Sequence, residues 1–271
     1  MSDNSYVKQK ASRWTPFVFI ILLLVTPYTH ANNCIINQPH ENIQVAHVYD
    51  GDTLRLTDGR KIRLIGINTP EHGHNGNPDE PFYQQAKNKL EKIVERNTAS
   101  LKLILGSDKR DRHSRYLAHL FTAKNENINA LLIRKGLGFT IAIPPNVRLL
   151  KCYLNAEAEA RKHQRGIWGH HYSRAINVTK LSKTARGFHQ VSGTIKRVGE
   201  SRSSYWLNLN TKSEAKFALR ILKKNLNYFT QFHPKNLLNK HIVARGWIYI
   251  IKGEQRITIH HPASIQTLNA D

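Results

Sequence analysis

The sequence predicts a mainly β chain with added helices, arranged as two successive small barrels. Three observations carry that expectation. Short runs of alternating apolar and polar residues, bounded by Gly, Asp and Asn, recur along both halves of the 271 residues. The order three strands, one helix, two strands occurs twice, which is the element order of an OB-type barrel. Between the two occurrences lies a polar, weakly patterned stretch from Asn177 to Lys183. The expected fold is a five-stranded OB-fold barrel with three helices, followed by a second, smaller OB-like β-barrel. The expected divisions are an export signal over 1–31, a first domain over 38–172, a linker over 173–186 and a nucleic-acid-binding OB-like domain over 187–271.

At the N-terminus, Lys8, Lys10 and Arg13 precede an apolar run from Trp14 to Val25, and Thr29-His30-Ala31 offers small residues where a signal peptidase cuts. The run is shorter than the roughly 20 apolar residues of a spanning helix. Cleavage after Ala31 is therefore expected, giving a periplasmic or secreted chain with no stable membrane association. Asn32 and Asn33 precede Cys34 where a lipidation signal has small apolar residues. Strands are expected at Ile43 to Tyr49, Thr53 to Thr57 and Lys61 to Ile67, joined by the turn pairs Asp50-Gly51 and Asp58-Gly59. Phe82 to Arg96 carries Phe82, Ala86, Leu90, Ile93 and Val94 at helical spacing. Strands at Leu101 to Leu105 and Tyr116 to Phe121 follow, then helices at Ile128 to Lys135 and Asn146 to Gln164, ended by Gly136 and Gly166. In the second half, strands are expected at Val191 to Val198, Tyr205 to Asn210, Lys216 to Leu222, His241 to Ile251 and Arg256 to Ile259, with a helix around Leu226 to Leu238.

Formal net charge is +22, of which residues 175–271 carry +12. Such a field calls for a polyanionic partner: nucleic acid, an anionic membrane surface or an acidic polysaccharide. Tyr205, Trp206, Phe217 and Trp247 interleave with the basic residues of the second half, as a strand-binding platform would require, although any single one of them is more readily a core residue. The two cysteines, Cys34 and Cys152, either pair in an oxidising compartment or remain separate buried thiols.

Three segments of the first half concentrate chemistry: Asp50-Gly51-Asp52-Thr53, then Arg63-Leu64-Ile65-Gly66-Ile67-Asn68-Thr69-Pro70-Glu71, then Asp111-Arg112-His113-Ser114-Arg115-Tyr116-Leu117-Ala118. Together and in this order they resemble the staphylococcal nuclease (thermonuclease) family, through most of residues 43 to 170 and ending at Gly166-Ile167-Trp168. The resemblance implies an SNase-like OB-fold nuclease, a phosphodiester hydrolase acting on DNA and/or RNA with low sequence specificity. It implies Arg63, Glu71 and Arg115 as catalytic residues and Asp52, Asn68 and Thr69 as ligands of a calcium ion. Those residue types suit the reaction. A hard divalent ion bound by oxygens neutralises phosphate, a guanidinium donates two parallel hydrogen bonds at any working pH, and a carboxylate activates or positions the attacking water.

The chain departs from the family pattern in places. Asn68 stands where many members have aspartate, so another divalent ion becomes possible. His113 and Ser114 replace the tyrosine and glycine that commonly precede the second arginine. The strand Gly138 to Ile143 lacks the tyrosines on which a base stacks in the best-known member. His72, His74, Asp79 and Glu80 offer an alternative, transition-metal reading of the loop after Glu71. The rival function is a catalytically inert OB-fold protein that only binds nucleic acid: Asn68 favours it, and retention of Arg63, Glu71 and Arg115 opposes it. A monomer is expected.

Overall fold

The computed structural model describes residues 1, 34–38, 40–73, 76–97, 101–209 and 216–268. Apart from Met1, the segment expected as an export signal lies outside the described residues, as does His74. Residues 32–271 form one compact unit.

The first barrel uses β1 (Glu41–Ile43), β2 (Val45–Val48), β3 (Thr53–Leu56), β4 (Lys61–Leu64), a short β5 (Ile67–Asn68), helix α1 (Tyr83–Glu95), β6 (Leu101–Arg110) and β7 (Tyr116–Phe121). A single first strand was expected. It is instead bent at Gln44, next to a bulge between Val45 and His47, so that β1 pairs with β6 while β2 pairs with β3. That bend closes the sheet β1-β6-β7-β4-β3-β2 into a five-stranded barrel, in which only β4 and β7 run parallel. Leu54, Leu56, Ile62, Leu64, Leu103 and Leu120 fill it by strict alternation, and α1 covers one end with Ala86, Leu90 and Ile93.

Helix α2 (Ile128–Arg134) starts where the Asn127 side chain accepts a hydrogen bond from the Ala130 amide at 2.9 Å. The strand expected around 138–143 shrinks to β8 (Phe139–Thr140), which pairs with β5. Helix α3 (Leu150–Lys162) begins four residues later than expected because Asn146 is committed to β6: its amide group exchanges two 3.0 Å hydrogen bonds with the Asp108 backbone. Cys34 and Cys152 are disulfide-bonded, with Cα atoms 5.7 Å apart across 118 residues. A loop of that size contributes on the order of 4–5 kcal/mol in the chain-entropy account.

The second sheet is formed by β9 (Ile176–Asn177), β10 (Gly187–Glu200), β11 (Ser204–Leu209), β12 (Phe217–Leu222), β13 (His241–Ile251), β14 (Glu254–Ile259) and β15 (Ile265–Leu268). Pairings run in a ring, β10 to β11 to β12 to β14 to β13 and back to β10, with β12 and β14 parallel. This repeats the topology of the first barrel. The helix expected around Leu226 to Leu238 is replaced by two 3₁₀ turns, Lys223–Tyr228 and Pro234–Leu237. Pro234 lacks an amide hydrogen and pushes His233 into an extended conformation, which no continuous helix accommodates.

Contacts among the described residues join the barrels. Phe139 meets Phe188 at 5.1 Å between ring centres, tilted by 40°, and Phe188 in turn meets Trp247 of its own barrel edge-on at 5.1 Å. Beside them the buried Glu157 of α3 accepts hydrogen bonds on both carboxylate oxygens from Nη1 of buried Arg245 on β13, at 2.7 and 2.9 Å.

Candidate active site

The site grows from three tight turns at one end of the first barrel. Gly51 permits the first: a Cβ there would lie 2.6 Å from the Cβ of Ala86 on α1 and 2.8 Å from Thr69 Cγ2. The adjacent Asp52 is thereby pressed inward, 1 % exposed, with its amide donating to Asp50 Oδ1 at 2.8 Å. Asp52 Oδ2 accepts from the Thr69 amide at 2.7 Å and from Thr69 Oγ1 at 3.1 Å. Gly66 permits the second turn, with φ +79° and a Tyr153 ring that any Cβ would strike at 2.4 Å.

That turn curls the backbone around Arg63, which is almost wholly buried. Its Nη1 donates to the Leu64 and Ile67 carbonyls, both at 2.8 Å, and lies 3.1 Å from Asp52 Oδ1. Its Nη2 donates to Asn68 Oδ1 at 3.1 Å. The guanidinium is thus locked in place by groups at its back and side, as a preorganised anion receptor requires. Asn68 bridges this arginine and the Thr69 carbonyl, to which its Nδ2 donates at 3.5 Å.

The third turn carries Arg115. Ser114 adopts φ +62°, the left-handed conformation that favours glycine, at the position where the family commonly has one. Asp111 organises the turn: Oδ1 accepts from the His113 and Arg115 amides, and Oδ2 accepts from Arg115 Nε at 2.8 Å and Nη2 at 2.7 Å. Burial works against the Asp111 charge, but the Arg115 hydrogen bonds outweigh it and hold this carboxyl below its usual range.

Arg63, Asn68, Glu71 and Arg115 line one cleft of about 660 Å³, with Asp52 and Thr69 buried against Arg63 and Asn68. Glu71 lines the cleft among neighbouring carboxylates, with part of its surface exposed. Loss of surrounding water, then repulsion from Asp52 and Asp50, pushes its carboxyl up to about 7, against the pull of Arg63. Asp50 rises to about 6 for the same reasons, burial first and the Asp52 charge second. Both groups hold protons more tightly because burial disfavours their charged form and the neighbouring carboxylates add to that, more than Arg63 compensates.

The described loop residues that offered a transition-metal reading are tied instead into hydrogen bonds with the loop itself and with Tyr172. Glu80 closes the loop after Glu71: its amide donates to the Glu71 carbonyl at 3.0 Å, and its Oε2 accepts from the Glu71 amide at 2.9 Å and from Tyr172 Oη at 2.7 Å. Asp79 is engaged by His72 at 2.5 Å and by the Gly73 amide at 2.9 Å. Among the described residues, no three His, Cys, Asp or Glu side chains converge to hold a metal ion by themselves. Asp50 and Asp111 stood inside the singled-out segments; nothing in the sequence linked Tyr172 to Glu80.

Comparison with known proteins bears on this arrangement. A family model described as staphylococcal nuclease homologue matches residues 61–170. The thermonuclease of Staphylococcus intermedius is 31% identical over 131 residues, covering 47% of this chain and 76% of that protein. The chain belongs to the staphylococcal nuclease family. The thermonuclease of Staphylococcus hyicus is 30% identical over 137 residues, 49% of this chain and 78% of its own. An uncharacterized endonuclease of Escherichia coli O157:H7 is 27% identical over 128 residues, 46% of this chain and 75% of its own. The staphylococcal nuclease match ends at residue 170, so β9 to β15 lie outside it. All six residues implied by the family resemblance fall in or directly beneath the one cleft.

Proposed function

We propose that this chain is an exported, divalent-cation-dependent nuclease that hydrolyses phosphodiester bonds of DNA and/or RNA with low sequence specificity. The observation that carries this reading is the fixed guanidinium of Arg63, set beside Asp52 and Asn68 in the same cleft as Glu71 and Arg115. Family membership supports phosphodiester hydrolysis.

A phosphate entering the cleft meets Arg63, which lines it with Nη1 held by the Leu64 and Ile67 carbonyls and Nη2 by Asn68 Oδ1. Arg115 can leave Asp111 to fork a second pair of oxygens, since that ion pair is part-exposed and exchangeable. Glu71 takes the proton of the attacking water, and its raised proton affinity suits a base working near neutral pH. Nucleases of this family are generally calcium-dependent. The donor set fits such an ion: Asp50, Asp52, Asn68 Oδ1 and the Thr69 carbonyl each offer a hard oxygen, and the crowded carboxylates gain by a nearby cation. Asp52, Asn68 Oδ1 and the Thr69 carbonyl would hold it. Bound there, the ion would supply charge neutralisation of the phosphate and acidification of water.

Export rests on the basic-then-apolar N-terminal pattern ending at Ala31 and on the Cys34–Cys152 bond, which suits an oxidising compartment. The mass of the protein recovered from cells tests it, with a mature chain starting at Asn32 expected. Glu71→Gln tests the chemistry: hydrolysis falls about 10²- to 10⁴-fold while oligonucleotide affinity stays within about threefold. Equal loss of both would remove Glu71 from the role of base.

A further inference from the structure

Part of the lining of the cleft comes from the second barrel. Trp247, Tyr249, Thr258 and His260 line it together with Arg63 and Arg115. Strand alternation explains the placement. On β13, Ala244 and Ile248 enter the barrel core, so Arg245, Trp247 and Tyr249 share the opposite face. Arg245 docks on Glu157, and the next two residues on that face carry it into the cleft. Trp247 is 39 % exposed, held edge-on by Phe188 with its ring otherwise open. Tyr249 donates or accepts a 3.1 Å hydrogen bond with Thr258 Oγ1 on β14. Trp247 and Tyr249 are the large aromatic rings lining the cleft among the described residues; the first barrel supplies the aliphatic Ile141, Ile143 and Pro144 there.

The same outer face continues across the sheet. Register places Tyr249 opposite Arg256, Thr258 beside Arg220, and Arg220 opposite Trp206. Arg256 and Arg220 lie over the Trp206 ring at 4.9 and 5.3 Å, Arg256 Nη2 also donating to Glu254 Oε2 at 2.7 Å and Arg220 Nε to Ser204 Oγ at 2.9 Å. Rings and guanidinium groups therefore alternate outward from the cleft, while Tyr205 and Phe217, both in the core, take no part.

We propose that this face is a subsite for single-stranded nucleic acid: an unpaired base next to the scissile phosphate stacks on Trp247, with Tyr249 beside it, and the strand continues over Arg256 and Trp206. Stacking needs a free π-face on the base, which pairing in a duplex hides between neighbouring base pairs, and the arginines meet the backbone phosphates. The subsite deepens the nuclease reading and rests on it for the position of the phosphate. It assigns the second barrel a direct part in substrate selection.

The test uses the full chain and three variants, W247A, W247F and Y249A, with folding checked by circular dichroism. Binding is measured in chelator, to prevent turnover, by anisotropy of a labelled single-stranded oligonucleotide, of the same strand carrying abasic sites, and of its duplex. W247A should weaken binding of the base-bearing strand between about fivefold and a hundredfold, with W247F and Y249A losing less. The strand should quench the tryptophan fluorescence of the wild type, and less that of W247A. Abasic strand should bind wild type and W247A alike, and the duplex should show little loss. With cation present, the W247A defect should fall on KM more than on kcat. Unchanged single-strand affinity in W247A, an equal loss on abasic strand, or an equal loss on duplex overturns the subsite. If the wild type cuts nucleic acid but W247A matches it, the subsite fails and the nuclease reading stands; if Trp247-dependent binding occurs without cleavage under any cation, the reverse holds.

Discussion

Arg245→Met should destabilise the protein by about 3 kcal/mol, through the charge it strands rather than through lost packing. Glu157 and Arg245 are 5 % and 8 % exposed at the side chain and are joined by two hydrogen bonds, across 88 residues of sequence. Removing one partner of a buried pair costs about 3–5 kcal/mol because the other charge stays buried. The lower end applies here. Arg161 still donates to Glu157 Oε1 from Nε at 3.0 Å and Nη2 at 2.8 Å, and the Thr140 amide still donates to Oε2 at 2.7 Å. For a unit of this size a loss of about 3 kcal/mol lowers Tm by about 6–12 °C. Scanning calorimetry reads the shift. The double variant E157Q/R245M, in which no charge is stranded, should recover most of it. A Tm for R245M within a degree of the wild type, or a double variant as unstable as the two single losses summed, would refute the reasoning.

Two further predictions follow from the carboxylate cluster. Asp50 and Glu71 hold protons up to about 6 and about 7, above their ordinary 3.8 and 4.5. The folded state therefore binds more protons than the unfolded chain between about pH 4 and 7, and its stability falls as pH rises through that window. In chelator, the Tm of D50N should overtake that of the wild type between pH 4 and 7, and calcium should narrow the gap; parallel curves would contradict this. Asn68→Asp adds a carboxylate to the proposed ion site and should lower the calcium concentration for half-maximal activity roughly tenfold. No shift in that concentration would remove residue 68 from the ion's surroundings.

Much of the fold was legible because alternation and turn residues determine each other. Leu54 and Leu56 on β3, or Leu207 and Leu209 on β11, fix which face is core, and the same parity sends Tyr205 inward and Trp206 outward. The aromatic platform expected from the sequence mixed the two faces: Tyr205 and Phe217 are core, whereas Trp247 is exposed and Trp206 is half-buried under Arg220 and Arg256 on the outer face. The three nuclease segments were legible as segments because each is a tight turn whose turn-forming residues and carboxylates are local: Gly51 with Asp50 and Asp52, Gly66 with Glu71, and Ser114 with Asp111. What sequence could not supply is distance between distant elements. Nothing in the sequence linked Glu157 on α3 to Arg245 on β13, and Trp247 acquired a place in the cleft only through the register of β13 with β10. The expected helix near Leu226 failed for a local reason, Pro234, that the apolar spacing around it outweighed.

The central claim is a cation-assisted nuclease cleft, and the most direct test is cleavage by the purified protein. Single-stranded DNA, duplex DNA and RNA would each be incubated with calcium, with magnesium and with chelator. The account predicts loss of substrate with a divalent cation, its arrest by chelator, and faster cleavage of single strands than of duplex. Binding of each substrate without cleavage under any cation would contradict it and leave the chain a two-barrel nucleic-acid-binding protein.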